Sequence, residues 1–125
     1  MNTIKYIMTF SIIFFTILYA QSLNEDTMDC DAGNAEACYQ AAEEYSSKAY
    51  KQKDYDSKKS AQKVIGFYKK SCELGYAKGC TTYGMSYVAD IEKDPSKDDA
   101  YYFQKACDAG DETGCTMLKM MTLRQ

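Results

Sequence analysis

The stretch Cys72-Glu-Leu-Gly-Tyr-Ala-Lys-Gly-Cys80 decides the fold of this chain, because its spacing occurs three times. The other copies are Cys30-Asp-Ala-Gly-Asn-Ala-Glu-Ala-Cys38 and Cys107-Asp-Ala-Gly-Asp-Glu-Thr-Gly-Cys115. In each copy an acidic residue follows the first cysteine, and a glycine stands at the third position after it. Equivalent cysteines are 42 and then 35 residues apart. A period of that size predicts stacked structural repeats.

The segments between these motifs have the apolar spacing of helices. Tyr83, Gly84 and Tyr87, for example, share one helical face. Pro95 and Ser96 predict the start of a later helix, and the glycine of each motif suits a helix end at which φ is positive. We therefore predict an all-α chain with helices over residues 34–50, 56–73, 77–90, 95–108 and 112–123.

The first residues have the three parts of a secretory signal peptide. Lys5 supplies a positive charge, the run from Ile7 to Tyr19 contains no charged residue, and the small Ala20 follows it. This run is short for a membrane span, which needs ~20 apolar residues. We expect a cleaved signal over residues 1–20, a single mature domain over residues 21–125, and no stable membrane insertion after cleavage. The protein would then be secreted or periplasmic.

Charge and cysteine content narrow the class of protein further. The formal net charge is −3, which argues against a nucleic-acid-binding protein because phosphate backbones require basic patches. Six cysteines in a small exported chain predict disulfides. Free thiols and a zinc site are the alternatives, but the chain has no histidine and its cysteines lack the usual short ligand spacing.

One of the motifs carries a family resemblance. The run from Lys105 to Gly110, followed by Gly114 and Cys115, resembles the end-of-repeat signature of Sel1-like repeats. The paired cysteines resemble the Helicobacter cysteine-rich protein branch of that family. The resemblance covers residues 30–118 and implies an α/α solenoid of about two and a half disulfide-stapled, TPR-like helical hairpins. Lys119 stands where the family usually has a small residue.

The repeated spacing also favours one pairing of the cysteines. In each motif the first cysteine ends one helix and the second begins the next, and a short turn between antiparallel helices brings these ends together. A disulfide requires Cα atoms roughly 4.4–6.8 Å apart, which such a corner supplies. We expect three local bridges with a structural role: Cys30–Cys38, Cys72–Cys80 and Cys107–Cys115.

The candidates for catalysis are few. Without histidine, Ser-His and Cys-His nucleophiles are excluded. Some cysteine-rich relatives are described as penicillin-binding proteins or slow β-lactamases, and serine β-lactamases use a Ser-x-x-Lys tetrad. Ser60-Ala-Gln-Lys63 has that form, but nine serines and 14 lysines in 125 residues predict roughly one such match by chance. We assign no catalytic residue, no metal site and no cofactor.

The sequence also predicts whether several acidic and aromatic residues are exposed or buried. The pairs Asp98–Asp99 and Glu43–Glu44 are expected on solvent-exposed faces or at helix ends. Helical spacing predicts that some tyrosines are core residues (Tyr45, Tyr83 and Tyr87). Others are expected to be exposed and to serve recognition (Tyr50, Tyr55 and Tyr76), since tyrosine is enriched at interfaces.

These observations favour an interaction module that binds a protein or peptide ligand on the first helices of its hairpins, as solenoids do on their concave face. A weak β-lactam-binding protein or β-lactamase is the alternative that the resemblance implies. In the last helix, Met117, Leu118 and Met121 can face the preceding helix. Met120 and Leu123 then point elsewhere, as a candidate partner surface or self-association contact. The alternative is that both fold back onto the end of the stack.

Overall fold

The computed structural model describes residues 25–52 and 57–124, and these residues form helices joined by short connections. Residues 25–31 are helical (α1). They are followed by α2 (Ala35–Gln52), α3 (Ser57–Glu73), α4 (Ala77–Ser86), α5 (Asp99–Asp108) and α6 (Glu112–Thr122), and a 3-10 turn, Tyr87–Ala89, comes directly after α4. No strand occurs in this part of the chain, so the all-α prediction is confirmed for it. The predicted signal peptide lies outside the described residues.

Each cysteine motif forms the corner between two helices. At the second corner the N–H of Tyr76 donates to the carbonyl of Ser71, and the N–H of Gly75 donates to the carbonyl of Cys72. This pair of bonds is a Schellman motif, which satisfies carbonyls left free at a helix end. The same two bonds occur at the other corners, and all three glycines have the predicted positive φ of 93–98° (Gly33, Gly75 and Gly110).

A disulfide closes each corner, with the local pairs Cys30–Cys38, Cys72–Cys80 and Cys107–Cys115. Their Cα atoms are 4.5, 4.3 and 4.5 Å apart. The first two bridges are buried, whereas both cysteines of the third are partly exposed.

The helices α2 and α3 are antiparallel neighbours. Between α2 and α3, Ser71 donates to the carbonyl of Ala35, whereas Lys63, earlier in α3, donates to Tyr45, later in α2. Packing continues from α3 to α4, from α4 to α5 and from α5 to α6, and α4 also contacts both α2 and α6. None of the described helices is both long and apolar enough to cross a membrane.

The core lies between these helices and is rich in tyrosine. Tyr83 is fully buried, with the ring of Tyr102 at 4.6 Å and that of Tyr87 at 6.0 Å between centroids. Small residues let the helices approach closely. A Cβ atom on Gly79 would lie 2.4 Å from the Ser71 hydroxyl, and one on Gly84 would lie 2.8 Å from the Phe103 ring.

The predicted start of the helix that follows α4 was wrong. The helix begins at Asp99 rather than at residue 95, and Asp98 caps it by accepting a hydrogen bond from the N–H of Tyr101. Pro95 and Ser96 lie in a preceding turn, in which the Asp94 carboxylate accepts bonds from the N–H and hydroxyl of Ser96. Local capping by Asp94 therefore makes a separate turn instead of opening the helix.

Candidate binding surface

Ser60 and Lys63 both lie on α3, about one helical turn apart. The Lys63 ammonium donates to the hydroxyl of Tyr45 at 2.9 Å and lies 4.1 Å from the centroid of that ring. The lysine of this tetrad is therefore engaged with α2 rather than with Ser60. No group of three or more His, Cys, Asp or Glu side chains within the described ranges is placed to hold a metal ion.

The acidic pairs have local structural contacts. Asp98 caps α5, and the carboxylate of its neighbour Asp99 accepts from the N–H of Ala100. Glu43 is exposed on α2 and accepts a hydrogen bond from the Tyr68 hydroxyl at 2.5 Å. Charges at a helix start are therefore confirmed for the first pair.

The tyrosines whose environment the sequence predicts differ in how deeply they are buried. Tyr83 and Tyr87 are core residues, as predicted, whereas Tyr45 is only half-buried and stacks on Phe67 with 5.6 Å between centroids. Tyr50 is exposed, and Tyr76 is half-buried. Tyr55 lies outside the described residues.

The most exposed apolar side chains on, or directly after, α4 and α6 occur at equivalent positions of the repeat. Met85 and Met120 each lie five residues after the second cysteine of their motif, and Val88 and Leu123 each lie eight residues after it. All four are exposed, by 52% and 44% for the methionines and by 85% and 77% for Val88 and Leu123. The two helices that carry them contact each other. The equivalent positions on α2 hold the polar residues Glu43 and Ser46.

Sequence reasoning had named Met120 and Leu123 but missed Met85 and Val88. The sequence does contain this information. Met85 and Val88 lie 35 residues before Met120 and Leu123, respectively, which is the spacing between the second and third motifs. What the spacing alone could not show is that Met85 remains exposed although α4 has neighbours on several sides.

In the connection that follows α4, backbone polar groups are hydrogen-bonded to α3, and apolar side chains are exposed to solvent. The Gln62 amide donates to the carbonyl of Ala89 at 2.7 Å and accepts from the N–H of Ile91 at 3.2 Å. Between these two residues Asp90 is buried, whereas Val88 and Ile91 are exposed. The segment next to Met85 is thus hydrogen-bonded to α3, while its apolar side chains are exposed to solvent.

Asp90 has enough partners to remain charged in this position. Burial raises the pKa of its carboxyl, but the hydrogen bonds from the Tyr83 hydroxyl and the Glu92 N–H, together with the Lys69 ammonium at 3.5 Å, outweigh burial and lower that pKa below its ordinary value. The charge of Asp90 therefore helps to fix the connection in place.

Neither protein-family models, nor curated proteins, nor solved structures provide a match to this chain.

Proposed function

We propose that this protein is an exported Sel1-like repeat module, a short α/α solenoid that binds an extended segment of a partner polypeptide across α2, α4 and α6. The observation that carries the proposal is the repeated, exposed pair Met85 and Met120. Methionine is common at adaptable binding surfaces because its side chain is flexible and polarisable.

Two features support a solenoid. The same Schellman corner and disulfide recur at all three motifs. In addition, α4 contacts α2 and α6, the helices two steps away in each direction, as well as its immediate neighbours. In stacked hairpins every second helix lies in the same layer, and the exposed side of that layer is the usual binding face.

The three disulfides support export, because such bonds form and persist in oxidising compartments. We do not extend the proposal to β-lactam hydrolysis, since Lys63 is engaged by Tyr45 rather than by Ser60.

Binding is tested with a fluorescein-labelled 12-residue peptide of leucine, lysine and serine, and fluorescence anisotropy of the oxidised protein. Replacing both Met85 and Met120 with lysine should weaken binding at least about tenfold, because two apolar contacts are lost. Met28→Lys is the matched control, since Met28 is an exposed methionine on α1.

The proposal is wrong if the double variant binds the peptide as tightly as the wild type does. It is also wrong if the peptide does not bind and the two substitutions instead abolish a dimer seen by sedimentation, because the occupant would then be a second copy of the chain.

A further inference from the structure

Three tyrosine rings and two carboxylates meet where α2, α3 and α4 come together. The ring of Tyr39 lies between those of Tyr68 and Tyr76, with centroid distances of 5.5 and 5.4 Å and an angle of 53° between planes in both pairs. The Tyr68 hydroxyl donates to the Glu43 carboxylate at 2.5 Å. Besides burial, Glu43 raises the pKa of Tyr39, and Glu36 raises the pKa of Tyr76. Tyr39 and Tyr76 are only half-buried, so both contribute surface that a ligand can reach.

The charge of this cluster lies on its carboxylates. Burial raises the pKa of Tyr39, Tyr68 and Tyr76, so all three phenols are neutral near pH 7. Glu36 and Glu43 are exposed on α2, two helical turns or about 10 Å apart along the axis. The charge of Lys78 acts in the opposite direction and lowers the pKa of Tyr39.

Four other tyrosines are paired with lysines of the protein itself. Tyr45, Tyr83, Tyr87 and Tyr101 each have a lysine ammonium 4.1–5.9 Å from the ring centroid. Within residues 25–52 and 57–124 no such lysine lies over the rings of Tyr39, Tyr68 or Tyr76. In the described part of the chain the rings of this cluster thus have no lysine over them, and a cation bound there would also meet two carboxylates.

The cluster continues towards the apolar surface already described. The ring of Tyr39 contacts that of Tyr76, which directly precedes α4, and Met85 lies on that helix. We propose that the partner segment carries a lysine or arginine that docks against Tyr39 and Tyr76 beside Glu36 and Glu43, while its neighbouring apolar side chains contact Met85 and Met120. This inference rests on the proposed function and names the chemistry of the partner.

The test compares two labelled 12-residue peptides that differ only in having lysine or glutamate at the same three positions between leucines. We expect the wild type to prefer the lysine peptide by about tenfold or more at low salt, with the preference falling as salt is added. Combining Glu36→Gln with Glu43→Gln should remove most of this preference, whereas the exposed control Glu73→Gln should keep it.

A single charge reversal, Glu36→Lys, provides a second variant in which the Tyr68–Glu43 hydrogen bond is retained. A preference that survives in both charge variants would overturn the inference. If both peptides bind equally and lysine at Met85 and Met120 weakens both, the cation site is wrong but the binding surface stands. If lysine at those positions changes neither affinity, the proposed function itself fails.

Discussion

At the scale of single residues, glycine has two different structural roles in this protein. Gly33, Gly75 and Gly110 adopt positive φ at the corners, where no close neighbour would meet a side chain. Gly84 instead provides space, because a Cβ atom there would lie 2.8 Å from the ring of buried Phe103. The first role concerns backbone conformation and the second concerns packing between helices.

Replacing glycine with alanine should therefore change the free energy of unfolding in opposite directions at Gly84 and Gly66, which both lie within helices. Gly84→Ala should lower the free energy of unfolding by about 1–3 kcal/mol, because Phe103 is held in the core and must shift. Gly66→Ala should raise it by up to about 1 kcal/mol, because Gly66 lies in α3 and a Cβ atom there would meet no other atom within 4 Å. Urea unfolding of the two variants measures both effects, and equal effects would contradict this account of Gly84.

At the scale of secondary-structure elements, the feature that repeats is the corner between two helices, which a disulfide closes. Each bridge closes a short loop and contributes about 2–3 kcal/mol by limiting the unfolded chain. The bridges differ in access, since Cys30, Cys38, Cys72 and Cys80 are buried, whereas the third bridge is partly exposed. Thiolate attack on a disulfide requires access to sulfur.

We therefore predict that limited dithiothreitol treatment of the folded protein reduces Cys107–Cys115 before either of the other bridges. Alkylation of the released thiols, followed by peptide mass spectrometry over a time course, gives the order. The expected first product carries label on Cys107 and Cys115 alone. Simultaneous labelling of all six cysteines would instead show that reduction proceeds through global unfolding.

At the scale of the whole molecule, α6 differs from α4 in its packing. A Cβ atom on Gly84 would meet Phe103 of α5, whereas the equivalent position on α6 is the exposed Lys119. The polar residues Thr116 and Thr122 are exposed on the same helix. The helix α6 therefore presents both polar and apolar side chains to solvent.

Met120 and Leu123 are 44% and 77% exposed. Replacing both with lysine should therefore change the free energy of unfolding by no more than about 0.5 kcal/mol. Leu118→Lys, at a partly buried position on the same helix, should be clearly more destabilising. Urea unfolding compares the two variants.

Comparable loss of stability in both variants would place Met120 and Leu123 in the core. Sedimentation of the wild type beside the double variant also tests self-association, the other possibility that the sequence raised for these two residues. Self-association requires a concentration-dependent oligomer in the wild type that the variant lacks, and a strictly monomeric wild type would contradict it.

The sequence alone determined the features that depend on neighbouring residues. The repeated motif predicted the helix ends, the positive φ of its glycines and the local cysteine pairs, because each involves groups fewer than ten residues apart. The same local reasoning misplaced the start of α5, since both Asp94 and Asp98 have side chains able to cap backbone N–H groups.

Only the tertiary structure decided which side chains form the candidate surface. The rings of Tyr39, Tyr68 and Tyr76 meet across three helices, and Gln62 holds a segment 27 residues later in the chain. Such contacts depend on the register and separation of packed helices, which side-chain volumes at positions such as Gly79 and Gly84 set. Helical periodicity identifies the face of a helix, but burial of that face depends on the neighbours that packing brings to it.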